Sequence, residues 1–177
     1  MMGQTNTSRF AQRGSALLVS LVILLVMTLL GVQSMNSTLM EEKMSGNYRD
    51  NQLAFEAAEA ALREGERVLK GFLGPPEATN NGANDVWTYG SVVGADYVDT
   101  SWWTANGKTV TQIGSKTLAY PAMYIIQEQQ RVRDSGKLAV GSNAEPERRY
   151  FYRVVARGVG ASGNAEVLLQ STFIRLF

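Results

Sequence analysis

From Gly14 to Met40 the chain carries no charged residue, with Arg13 before that stretch and Glu41 after it. Its most apolar part, Ala16 to Val32, lies near the lower end of the roughly 17–25 residues that a helix needs to cross a bilayer. In lipid an isolated segment must satisfy every backbone N–H and C=O within itself, so helix is the state open to it. Ser20 and Thr28 are the only hydroxyls in that part, and a helix lets each bond back to one of its own carbonyls. Arg9 and Arg13 precede the run, and no acid occurs in the first fourteen residues. That imbalance predicts a cytoplasmic N-terminus, with everything after Met40 on the far side of the membrane.

Three readings compete for this stretch. A cleaved secretory signal has an apolar region of roughly 7–15 residues and a small-residue cleavage site. This run is longer, and no clear A-x-A pattern follows it. A core helix of a soluble protein rarely lacks charge on every face for such a length. A retained membrane helix fits both the length and the flanks.

At 177 residues the chain has room for one ordinary domain beside an anchor. The net charge of +1 implies neither nucleic acid nor a strongly acidic partner. Cys is absent, so there is no disulfide framework and no thiolate chemistry. His is absent too, which removes the usual metal ligand and the usual general base. A domain beyond the membrane therefore depends on its own apolar core.

The helix is expected to continue past the membrane. Ala54, Ala58, Ala61, Leu62, Gly65, Val68, Leu69 and Phe72 follow the spacing of one apolar helical face. Glu59–Arg63 and Glu66–Lys70 are i, i+4 pairs on the other face. Gly46-Asn47 reads as a weak point or bend, since Gly costs about 1 kcal/mol against Ala. Gly74-Pro75-Pro76 ends the helix. Beyond the turn-rich residues 75–85, strands are expected at Val86–Tyr89, Val92–Val98, Leu118–Val132, Arg148–Arg157 and Glu166–Arg175. Pro121 places the start of the third at a sheet edge. Trp102-Trp103 reads as a packed loop, residues 134–147 as irregular, and Gly158 to Asn164 as a hairpin loop. Strands that follow one long helix, rather than alternating with helices, predict an α+β fold with an antiparallel sheet packed on residues 54–72.

Several motifs that suggest chemistry are better explained otherwise. Gly158-x-Gly160-x-x-Gly163 matches a dinucleotide fingerprint, but a strand rather than a helix is expected to follow it. Gly107-Lys108 and Gly136-Lys137 lack the upstream Gly of a phosphate-binding loop. Asn80, Asn84, Asp85, Asp96 and Asp99 offer oxygens for Ca²⁺ without EF-hand spacing. Glu56 and Glu59 read as a solvated or interface face rather than an acid–base pair. Asn36-Ser37-Thr38 matches a glycosylation sequon by pattern only. No convergent active site is expected, and no cofactor or metal is implied.

Gln12-Arg13-Gly14 followed by Ser15-Ala16-Leu17-Leu18 resembles the leader junction of type IV prepilins. The stretch from Glu41 to Asp50, then Leu53-Ala54-Phe55-Glu56-Ala57-Ala58-Glu59-Ala60-Ala61-Leu62, resembles the PilX-type minor pilins in particular. So do Tyr152-Arg153-Val154, Ala156-Arg157-Gly158, Gly163-Asn164-Ala165 and Leu169-Gln170-Ser171-Thr172. The resemblance covers residues 10–70 and 148–174. It implies a type IV pilin-like fold, a long helix with a C-terminal antiparallel sheet. It also implies a 1–14 leader, a 15–40 transmembrane and polymerisation helix, and a 41–177 periplasmic head.

By the same resemblance, prepilin peptidase cuts after Gly14 and methylates Ser15. The subunit then waits in the inner membrane for incorporation into a fibre. The implied partners are other minor pilins, the major pilin and a tip adhesin. Ala16, Val19, Ser20, Gly31 and Ser34 are the candidate helix-packing residues, the small ones allowing close approach. Two positions depart from the major-pilin pattern: Ser15 stands where Phe or Met is usual, and Val19 where Glu is usual. A carboxylate inside the bilayer costs roughly 2.5–3.5 kcal/mol unless compensated, and Val19 needs no such partner. The expected role is a non-enzymatic minor pilin that starts and tops the pilus. A type II secretion pseudopilin and a tethered adhesin or ligand-binding module are the alternatives.

Overall fold

The computed structural model describes residues 13–129 and 149–177. They divide between two compact units, Met1–Gly46 and Asn47–Phe177. Helix α1 runs Arg13–Gly71 and contributes to both. The Gly46-Asn47 step, read as a weak point, is helical like its neighbours.

In the first unit α1 has solvent on every described side. Leu17, Leu24, Met27 and Leu30 are all exposed, as are the other large apolar side chains between them. Its hydroxyls are satisfied internally: Ser20 Oγ donates to Leu17 O at 2.9 Å, and Thr28 Oγ1 to Leu25 O at 2.8 Å. The helix is long and apolar enough to cross a membrane.

In the second unit, the rest of α1 packs on a sheet built from β1 (Val86–Trp87), β2 (Lys108–Ile113), β3 (Lys116–Glu128), β4 (Arg149–Val159) and β5 (Glu166–Leu176). The order is β1-β3-β4-β5, with β2 also paired to β3. The pairs β2–β3, β3–β4 and β4–β5 are antiparallel, as expected, while β1 joins β3 in parallel. One face of the sheet carries Tyr124, Ile126, Tyr152, Val154 and Ala156, which pack with Ala57, Ala61 and Leu69 of the helix. The alternation of strand side chains sends Met123, Ile125 and Val155 to the other face. There Trp87, Val92 and Trp103 cover them. The architecture is α+β, with the helix on one face of a mixed, mainly antiparallel sheet.

The helix lies close to the sheet because its inner face is made of small residues. Ala54, Ala57, Ala58 and Ala61 are fully buried. Gly158 of β4 sits directly against them. A Cβ added there would overlap Ala54 O and Ala58 N, so the strand can pass over this turn only as glycine.

Several sequence expectations need correction. Val92–Val98 is not a strand but a run of turns, held by bonds such as Val93 N–H to Asp96 Oδ2 at 2.8 Å. An aspartate and Gly94 inside the run favour turn geometry over a ladder. Trp102-Trp103 lies not in a loop but in a short helix, α2 (Thr100–Asn106), capped by Asp99, which accepts from Ser101 N. The strand at Val86 stops at Trp87, two residues before Tyr89. Glu66 and Lys70 turn to the sheet rather than to each other: Glu66 Oε1 accepts from Ser171 Oγ at 2.8 Å, and Lys70 Nζ lies 5.8 Å from the Phe173 ring centroid. Strand β2 has no counterpart among the expected elements. Pro121 lies inside β3, where the β2–β3 register slips between Val110 and Gln112, and a bulge is one of the places that admit proline. Glu59–Arg63 pairs as expected, at 2.5 Å. Gly158 and Val159 extend β4, so the hairpin turn is shorter than the expected loop. Residues 130–148, including the expected irregular stretch, lie outside the described residues.

Candidate assembly and processing site

The residues singled out for processing and packing all fall on α1. Gly14 and Ser15 lie in its first turn. Ala16 and Ser34 stand five full turns apart, and at 100° per residue Ser20 and Gly31 fall within about 60° of the same line. The helix therefore brings Ala16, Ser20, Gly31 and Ser34 to one side, with Val19 at its margin. A Cβ added at Gly31 would meet nothing within 4 Å. Val19 is 54% exposed. Nothing among the described residues of the first unit covers this side.

The head adds polar ties that the sequence reading missed. Asp50 accepts from Ser162 N at 2.9 Å and from Ser162 Oγ at 2.5 Å, fastening the helix to the β4–β5 turn. These bonds hold the Asp50 carboxyl below the usual carboxylate range. The turn itself needs Gly163, whose φ of 81° lies in the left-handed region. Arg175 Nη1 donates to Leu69 O near the helix C-terminus. Arg157, 5% exposed, donates through Nε and Nη2 to Glu166. On the far face Arg153 Nη2 donates to the Tyr97 hydroxyl at 2.9 Å and to Gln127 Oε1. Burial pushes the Tyr97 hydroxyl up in pKa. The Asp50 tie joins residues 112 positions apart, and no local pattern in either stretch announces it.

These arginine and carboxylate groups are consumed in joining elements to one another. Among the described residues, no group of three or more His, Cys, Asp or Glu is placed to hold a metal ion. An open groove of about 580 Å³ lies between Leu53 and Glu56 of α1, the β2–β3 hairpin, and Val159 and Ala161. Its walls are mostly apolar, and its one cation is Lys116.

A bare apolar helix at the N-terminus and a helix-on-sheet head define the class of pilin-like subunits. The family model for PilX N-terminal regions matches residues 13–63, and the model for the C-terminal part of type IV pilus assembly protein PilX matches residues 73–175. The chain belongs to the PilX family of type IV pilus assembly proteins. No curated protein and no solved structure gives a significant match.

Proposed function

We propose that this chain is a minor pilin that promotes initiation and assembly of type IV pili from a position near the tip, in complex with other minor pilins. It acts by packing and not as an enzyme. The leader is cut between Gly14 and Ser15 by prepilin peptidase, and Ser15 is methylated. Residues 15–40 hold the subunit in the inner membrane, with the N-terminus cytoplasmic and the head periplasmic. The same residues later pack among the helices of the fibre, and the head meets other minor pilins, the major pilin and a tip adhesin.

The observation that carries this reading is the uncovered apolar segment, with Val19 where a carboxylate is usual. In related filaments each such carboxylate meets the N-terminal amine of the subunit ahead. A subunit at the tip has none ahead, so it alone can lack the acid without leaving a buried amine unpaired. Mass spectrometry of the mature protein should find a methylated Ser15 as the first residue. Replacing Gly14 by a bulky residue should leave the precursor uncut. Val19→Glu should leave piliation unimproved or impair it, and antibody to the head should mark one fibre end at low copy. Uniform decoration of the shaft, or greater incorporation of Val19→Glu, overturns the tip position. A mature N-terminus at Met1 overturns the processing.

A further inference from the structure

The two edges of the sheet are built differently. On one side β3 is bordered by β1, which is two residues long, and by β2, whose register slips. Lys108 begins β2, Lys116 begins β3, and Pro121 lies within β3 at the slip. Short strands, bulges, lysines and prolines are the devices that stop an edge from pairing with another chain. The opposite edge, β5, uses none of them. It has 11 residues and pairs with β4 in unbroken register from Arg149↔Leu176 to Val159↔Glu166. Between Glu166 and Leu176 there is no Pro, Gly or Lys.

The two charges of β5 are also withdrawn from that edge. Glu166 is bound by Arg157, and Arg175 donates to Leu69 O, its guanidinium 4.7 Å from the Phe177 ring centroid. The stretch Val167–Ile174 between them is uncharged. On the face away from the helix, Leu168, Ile174 and Leu176 are 44%, 56% and 55% exposed. Among the described residues no strand lies beyond β5, so its outward N–H and C=O groups have no ladder partner. Such an edge is a template for main-chain hydrogen bonding, with alternate side chains giving selectivity.

We propose that β5 is a docking edge that receives an extended, uncharged, apolar strand from a different protein and so adds a sixth strand to the sheet. The inference goes beyond the assembly role above and does not depend on where in a fibre the chain stands. A second copy of this chain is the less suitable occupant. Two β5 strands paired antiparallel are related by a twofold axis normal to the sheet. That axis reverses the part of α1 lying on the sheet face, so the two Asn47 ends, through which each head joins its own N-terminal segment, would stand at opposite ends of the pair.

The chain has no cysteine of its own, which makes single-cysteine labelling clean. Full-length chains bearing Leu168→Cys, Gln170→Cys, Thr172→Cys or Ile174→Cys, each carrying a benzophenone label, would be photolysed in membranes of cells that assemble pili. The expected result is adducts with one other polypeptide, the attached residue moving two positions along one segment of it for every two positions on β5. Leu168→Lys combined with Ile174→Lys should cut adduct formation at Gln170→Cys by about tenfold or more, by setting charge against an apolar strand. Gln170→Lys alone, with Thr172→Cys as the label, repeats the test should the double variant fold poorly. Adducts between two copies of this chain, adducts without the two-residue progression, no adducts, or yields indifferent to the lysines each overturn the proposal.

Discussion

One helix serves two environments, and the contrast between its parts shows what keeps each in place. Over residues 15–46 every described position of α1 is exposed, and its apolar side chains meet no other part of the first unit. Over residues 54–69 the same helix buries Ala54, Ala57, Ala58, Ala61 and Leu69. The first part is helical because backbone groups in lipid have no other partners. The second is helical because an amphipathic face is buried against a sheet, which is the usual source of helix stability in water. The use of small residues differs as well. In the head they are already matched, Gly158 against Ala54 and Ala58, whereas Gly31 meets nothing.

The largest expected effect breaks this contrast at its tightest point. Gly158→Val places a branched side chain where even a Cβ overlaps helix backbone. Overpacking costs about 1–3 kcal/mol where neighbours can yield, and two main-chain atoms cannot yield as a side chain does. A fragment spanning residues 41–177 should melt cooperatively by circular dichroism as the parent sequence and show no cooperative transition as Gly158→Val. In the full chain in detergent, Gly31→Val should leave the melting of the head unchanged. A folded Gly158→Val head would show that helix and sheet are less closely fitted than described.

A moderate effect is expected from truncation within the buried face. Leu69 is fully buried among Val154, Tyr152 and the neighbouring core residues. Leu69→Ala should destabilise the head by about 2–5 kcal/mol, the range for deleting a buried leucine side chain. Leu24→Ala, on the exposed stretch, should leave the head's denaturant midpoint where it was. Equal losses at both positions would mean that the two parts of the helix are energetically one.

The elements that were legible in the sequence are those whose pattern is local. The charge-free run, the alanine face and the two C-terminal strands each repeat with one period over many residues, and each stands where it was expected. The region from Val86 to Ile113 was not legible in the same way. Val92, Val93 and Val98 suggest a strand, but Gly94, Asp96 and Asp99 favour turn geometry, and the chain bends and turns through this run. Trp103 is buried through its fit to Met123 and Ile125, a long-range contact that no spacing in residues 99–107 encodes. Strand β2, Lys-Thr-Val-Thr-Gln-Ile, carries one apolar residue at Val110 before Ile113, too little alternation to identify a strand. The proposed processing and packing residues rest on the leader junction and the resemblance, and nothing in the fold of the head bears on them. The Asp50–Ser162 tie was not, because an aspartate one helical turn before a buried alanine looks like any solvated position.

That tie gives the smallest and most selective test of the contrast. Asp50 stands at the start of the head's part of the helix, and its carboxylate binds Ser162 through both backbone and side chain. The bonds favour the charged form, so the folded-state pKa lies below the ordinary value. A depressed carboxylate contributes stability above its unfolded pKa and loses it as pH falls through the folded value. Glu64, held down by Arg67, and Asp99, held down by Ser101, act in the same direction. The acid sensitivity of the whole head therefore cannot be assigned to one residue. Asp50→Asn keeps the shape of the side chain and removes its titration, which isolates one contribution. Melts of the 41–177 fragment should show the parent above the Asn variant at pH 7, with the gap shrinking as pH falls below the ordinary aspartate value of about 4 and through the lowered folded value. In the full chain in detergent, Leu24→Asn, on the stretch with no internal partner, should give a head melting curve with the parent's pH dependence. A gap between parent and Asp50→Asn that stays constant down to pH 3 would mean that the tie is held by its geometry and not by the charge.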